Sequence, residues 1–334
     1  MRFQYLSHYI SSLSVGISFV SSAAIPPVRR DFPDYYIRNL NTISQIYDFT
    51  VYPKQLPIIA QVVSGSIPEL AALFNPNVAG RIQDVGSFTN FRTSIEYFYG
   101  LAPTPYAPSY LGFSSAEVTQ FSSSCDSVAS STVVFTISVV DPSQPNYGTV
   151  VTYLKQTGFW HFDDQGRVDY YDLLIPGVQD FCSILNGADF NQKTVQLLAT
   201  KQICQAAQQV CTGPNTQYPP NAGVTLAKLL SVLGLNPLLD TGLISQLGLG
   251  QLDAGGLNCF VQLWNKGFGT FDKLWDDTVT CRIVHLVLAK ADPVEHCVHV
   301  GPTGGGKCVS YPYNQRLFGD EALFGSTNRF QCPG

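Results

Sequence analysis

The stretch Gly158-Phe159-Trp160-His161-Phe162-Asp163-Asp164-Gln165-Gly166-Arg167-Val168 decides the fold. Asp163-Asp164-Gln165-Gly166 has the composition of a hairpin turn, so the residues on either side read as paired antiparallel strands, 148–162 and 167–174. Side chains alternate along a strand, which puts Phe159, His161 and Asp163 on one face and Trp160 and Phe162 on the other. Working back from the hairpin, residues 131–140 and 112–122 supply two more strand-like runs. Before them the texture is helical. Residues 39–62 carry Ile43, Ile46 and Tyr47 at one-face spacing, with Pro53 and Pro57 breaking the run. Residues 68–74 read as a short helix with Pro at its first turn. Asn90 is placed to cap a further helix over 91–101. Residues 39–176 are therefore expected to form an α+β layer, with helices packed on one face of an antiparallel sheet.

Three stretches together resemble the nuclear-transport-factor-2-like superfamily, which includes the SnoaL-like domains. They are residues 42–60; the link Gly80-Arg81-Ile82 through Phe88 to Ile95-Glu96-Tyr97-Phe98; and the closing hairpin. The resemblance covers residues 39–176. It implies a cone in which N-terminal helices pack into a strongly curved antiparallel sheet and enclose a pocket. It does not imply one function, because the superfamily holds dehydratases, isomerases, cyclases, ligand binders and structural modules. His161 with Tyr97 and Asp48 resembles the His, Tyr and Asp chemistry of its dehydratases, with His161 as general base and Asp48 orienting it. Tyr47, Tyr153 and Tyr171 are the expected ligand-binding residues. The plainer readings place His161 on the outer sheet face beside a carboxylate, and Asp48 in solvent. Sheets of this superfamily also pair through their outer faces, which allows a homodimer.

Residues 177–334 lie outside that core and are expected to be a helical, disulfide-rich extension, similar to the C-terminal parts of secreted fungal proteins. Eight of the nine cysteines fall here: Cys182, Cys204, Cys211, Cys259, Cys281, Cys297, Cys308 and Cys332. Eight clustered cysteines read as four disulfides, with Cys125 as the odd, buried thiol. Cys204 and Cys211 on one helix stand about 10 Å apart and cannot bridge each other. No CxxC pair suggests zinc. Residues 191–211 and most of 258–290 read as helix, and the last forty-odd as loop. The Leu- and Gly-rich segment 224–257 reads as short helices or a lid over the cone's mouth. Trp264, Phe268, Phe271 and Trp275 need burial, so the extension is expected to pack on the cone.

Residues 1–24 have the layout of a secretory signal: Met1-Arg2, an apolar and Ser-rich run, then Ser22-Ala23-Ala24. Residues 25–38 read as a Pro-bearing linker. With the cysteines, this predicts a secreted, extracellular protein. Hydrophobic residues make up 45% and charged residues 13%, which excludes a disordered chain. Nineteen Lys and Arg without a dense run argue against a nucleic-acid partner. No apolar stretch is long enough for a membrane span. No Asn-x-Ser/Thr glycosylation site occurs.

His285, His296 and His299 form the densest cluster of ligating residues. Asp292-Pro293-Val294-Glu295 has the form of a helix start, and a turn through His299 would put His296 and His299 on one face. Packed core histidines are the first expectation. Three ligands to zinc or copper are the alternative. Gly301 to Lys307 spells GxxxxGK, but Cys308 stands where a phosphate-binding loop needs Ser or Thr, so a tight glycine turn is expected. Asp163-Asp164 reads as turn chemistry and Asp276-Asp277 as a solvated helix end. No cofactor is expected. Three functions fit: a secreted binder of a small apolar or aromatic molecule, a cofactor-free lyase or isomerase built on His161, and a non-catalytic extracellular module.

Overall fold

The computed structural model describes residues 32–333, apart from 67, 68, 222, 237–241, 243, 244 and 246. The expected signal segment, half of the linker (25–31) and part of the Leu- and Gly-rich segment fall outside these residues, and the linker's last five residues, 34–38, are helical instead. Six strands form one sheet in the order β2-β1-β6-β5-β4-β3. They are β1 (Phe74–Ile82), β2 (Gly86–Phe88), β3 (Leu111–Ser122), β4 (Val128–Val139), β5 (Val150–Phe162) and β6 (Val168–Leu174). The hairpin closes as expected: Asp163 Oδ1 accepts the Gln165 and Arg167 amides. All neighbouring strands are antiparallel except β1 and β6, which run parallel. Register shifts in β3–β4, β4–β5 and β5–β6 bend the sheet.

Three helices lie in the concave face: α1 (Asp34–Asp48), α2 (Gln55–Val63) and α3 (Phe91–Gly100). Pro53 and Pro57 divide what would have been one helix, with Pro57 tolerated in the first turn of α2. Asn90 caps α3 by accepting the Thr93 amide, a bond of the kind that contributes about 1 kcal/mol. Trp160, Tyr47, Tyr99 and Tyr171 are fully buried between helices and sheet. Tyr47 meets Phe135 and Trp160 edge-on, and Phe98 packs against Trp160 and Tyr171. This is the cone of the nuclear-transport-factor-2-like fold.

The remainder is mainly helical: α4 (Val178–Asn186), α5 (Lys193–Val210), α6 (Leu226–Leu233), α7 (Ala254–Trp264), α8 (Val279–Ala289), α9 (Pro293–Val300), α10 (Tyr313–Leu317) and α11 (Asp320–Phe324). The break between α7 and α8 buries Phe268, Phe271 and Trp275. There the backbone amide of Leu274 donates to Asp84 O, and Trp275 Nε1 donates to Gln83 O. The helical part is thereby seated on the β1–β2 turn.

The cysteines pair as Cys125–Cys332, Cys204–Cys259, Cys211–Cys297 and Cys281–Cys308, and Cys182 is the free thiol. The expectation for Cys125 and Cys182 is therefore reversed. Cys125 lies in the bend between β3 and β4 rather than in a strand, where the C-terminal segment reaches it. That segment lies on the outer sheet face, with Phe330 against Phe159 and Phe324 against Tyr170. Cys182 sits on α4, and burial, followed by Asp272, pushes its thiol up to about 12.

Candidate functional site

The interior of the cone is occupied by its own side chains. Tyr47 donates to Gln156 Oε1 at 2.7 Å, Tyr99 to Ile46 O at 3.1 Å and Tyr171 to Ser94 Oγ at 3.0 Å. Trp160 Nε1 donates to Ser131 Oγ at 2.9 Å. These polar atoms are committed to the core, and buried polar groups with such partners are costly to disturb. Tyr47 and Tyr171 are thus structural members of the cone. Tyr153 is 62% exposed on the sheet surface, away from both.

His161 also departs from the catalytic expectation. It lies on the outer face of β5, where its Nδ1 pairs with Asp169, and Asp169 also meets Arg329. The face alternation read from the sequence holds, but Trp160 faces inward and His161 therefore cannot. Asp48 ends α1 in solvent and pairs with Lys54 Nζ at 2.6 Å. His161, Tyr97 and Asp48 are not brought together.

Tyr97 takes part in a different arrangement. A cavity of about 310 Å³ opens where β1, β2 and α3 meet the C-terminal segments. Phe88, Tyr97, Tyr311, His285, Lys307 and Arg316 are on its wall. The Tyr97 hydroxyl lies 3.2 Å from His285 Nδ1 and 3.3 Å from Nε2. Lys307 Nζ donates to Ser87 O at 3.2 Å and stands over the Phe88 and Tyr97 rings. Arg316 stacks on Trp275 and Tyr311, and its Nε is buried without a partner. Among the described residues, neither Lys307 nor Arg316 forms an ion pair. Burial, then Arg316, pulls the Lys307 ammonium down from its ordinary value. Burial is also the main cause pushing Arg316 down to about 10. Arg81, on the same wall, is by contrast paired with Asp172 and Asp320. The pocket therefore joins aromatic walls to two cations that form no ion pair among the described residues, although Glu96 and Glu295 act on Lys307 from a distance.

Behind Tyr97, His285 on α8 meets His296 and His299 on α9, all three buried. Asp292 Oδ1 accepts the Glu295 amide and starts α9 as the sequence suggested. Burial, followed by the other two rings, lowers His285 well below the ordinary imidazole value. Burial, then His296, takes His299 down to about 4, so both rings are neutral near pH 7. Gly304 to Gly306 forms the tight turn expected there and packs on His299. Asp277 is not simply solvated, because it pairs with Arg282 and Lys266. Lys307, Arg316 and Phe88 were not foreseen as site residues. The only sequence signal was Lys307 after three glycines.

The β1–β6 parallel pairing, the helices within the cone and the curved sheet make an α+β cone similar in fold to nuclear-transport-factor-2-like and SnoaL-like domains, carrying a helical, disulfide-linked extension. Residues 46–173 match the BfoA N-terminal domain, and residues 256–311 match the BfoA family C-terminal domain. The chain is 26% identical to bifonsecin B biosynthesis cluster protein A of Aspergillus brasiliensis, over 84% of this chain and 82% of that protein. It is 27% identical to aurasperone B biosynthesis cluster protein A of Aspergillus niger, over 83% of this chain and 79% of that one. Among solved structures, a candidate SnoaL-like polyketide cyclase from Jannaschia is 11% identical with a TM-score of 0.31, over 47% of this chain and 96% of that one.

Proposed function

We propose that this is a secreted protein that binds a flat aromatic molecule carrying an acidic hydroxyl or carboxyl group, in the pocket at the mouth of the cone. One observation carries the reading: Lys307 and Arg316 are both partly buried on an aromatic wall, and among the described residues neither is held in an ion pair, whereas Arg81 beside them is. Keeping a cation out of water costs free energy, and a bound anion offsets that cost. Phe88, Tyr97 and Tyr311 supply faces for a ring, and a cavity of about 310 Å³ is at the lower end of the range that takes small ligands. The Aspergillus relatives are named for clusters that make small molecules, which supports a ligand of biosynthetic origin. Four disulfides support an oxidising compartment, and hence secretion. No described helix is long and apolar enough to cross a membrane.

The test uses 1-hydroxy-2-naphthoic acid, titrated by its own fluorescence anisotropy. Saturable binding is expected, weakened about tenfold or more by Arg316→Gln or Lys307→Gln. Equal binding by wild type and both variants would remove the basis of the proposal. A second reading, proton transfer on the bound molecule, is favoured by the Tyr97 hydroxyl beside His285 at the pocket wall. Turnover of a bound compound that Tyr97→Phe abolishes while leaving binding intact would establish it.

A further inference from the structure

His285, His296 and His299 can each present a ring nitrogen within 4.8 Å of the other two. The three rings are nearly enclosed, at 3%, 2% and 6% exposure. Buried imidazole nitrogens normally have hydrogen-bond partners, yet His296 Nδ1 and both nitrogens of His299 have none. The backbone of Gly304 and Gly305 lies beside His299 without meeting hydrogen-bond geometry. Each of these two histidines also has a carboxylate near its Nε2. Glu96 Oε2 is 3.4 Å from His296 Nε2, and Glu295 Oε1 is 3.9 Å from His299 Nε2. A carboxylate behind one nitrogen, with the other nitrogen free, is how metal-binding histidines are oriented. The helices that carry the rings are fixed by covalent bonds. Cys297, between His296 and His299, is tied to Cys211, and Cys281, one turn before His285, is tied to Cys308. Cys281 and Cys308 also lie near His285, but as a disulfide they offer no thiolate.

We propose that His285, His296 and His299 form a site for one divalent late transition-metal ion, zinc or copper, at the inner wall of the pocket. Three imidazoles and one open position suit these ions. A tetrahedral ion with bonds of about 2.0–2.1 Å needs donors about 3.3 Å apart, so from within 4.8 Å the nitrogens close by at most about 1.5 Å. The fourth position faces Tyr97, whose hydroxyl is already beside His285 and which lines the pocket with it. An oxygen of a pocket ligand could take that position in place of Tyr97.

The inference does not depend on the ligand reading, because the naphthoate titration is run on chelator-stripped protein and the metal titration without naphthoate. The untagged, disulfide-intact full chain is stripped with EDTA and titrated with Co2+, then with Zn2+. One equivalent of Co2+ is expected, with the strong visible bands of a tetrahedral site, bleached by Zn2+. His296→Gln and His299→Gln should each lose those bands while keeping the cooperative thermal transition. Should a variant fail to fold, 15N spectra of the wild-type imidazoles answer without a substitution, since three rings should shift on zinc addition. Absence of uptake at micromolar metal, uptake that survives both substitutions, or unmoved imidazole signals would each overturn the proposal.

Discussion

Asp84 offers a quantitative handle on the contact between the two parts of the chain. Its carboxylate is mostly buried, accepts the Ile175 amide at 2.9 Å, and feels Asp272. Its backbone carbonyl accepts from Leu274, and the next residue, Trp275, stacks under Arg316. Burial is the main cause raising its pKa from 3.8 to about 6. A carboxyl raised on folding contributes its full stability below the unfolded pKa, near pH 4. That contribution is lost as pH rises through about 6. Two units correspond to an upper limit of about 3 kcal/mol, and the solvent that reaches the adjoining cleft reduces this to about 1–2 kcal/mol. Asp84→Asn keeps an acceptor for Ile175 and removes the charge. In urea unfolding without reductant, the variant should gain about 1–2 kcal/mol on the wild type in going from pH 4 to pH 7.5. A difference between the two proteins that is the same at both pH values would refute the argument.

His161→Ala should cost about 1–2 kcal/mol through the lost Asp169 pairing and leave naphthoate binding unchanged, as thermal melts and anisotropy would show. A large loss of binding would return His161 to the site. One thiol should react in the denatured, unreduced chain, and peptide mapping should find it on Cys182, which should react slowly in the native protein. A label on Cys125 would contradict the pairing. Cys332→Ser should loosen the C-terminal segment from Phe159 and Tyr170 and raise the binding of an apolar dye. Dye binding equal to wild type would mean that the segment is held without the disulfide.

Local signals account for what the sequence made legible. The Asp163-to-Gly166 turn, the Asn90 cap and the Asp292-Pro293 helix start are each decided within a few residues, and each is present. Strand β1 was missed because Asn75, Pro76, Asn77 and Gly80 look like a loop. It is held by pairing with β6, far along the chain. Gly80 is needed there, since a Cβ would lie 2.1 Å from the Tyr171 ring. Alternation separated His161 from Trp160 but could not say which face turns inward. That depends on Tyr47 and Phe98 meeting Trp160 from the helices. The pocket was illegible for the same reason. Phe88, Tyr97, Lys307 and Arg316 come from distant segments that converge only after the extension has docked. The pairing of His296 with His299 could be read from helix spacing, whereas the place of His285 depends on the packing of α8 against α9.

A crystal structure of the protein soaked with 1-hydroxy-2-naphthoate tests the central claim most directly, that the ligand site lies at the mouth of the cone and not within it. The account predicts density for the naphthoate in the pocket lined by Phe88, Tyr97 and Tyr311, with its carboxylate on Lys307 and Arg316. Density inside the cone, among Tyr47, Phe98 and Trp160, would contradict it.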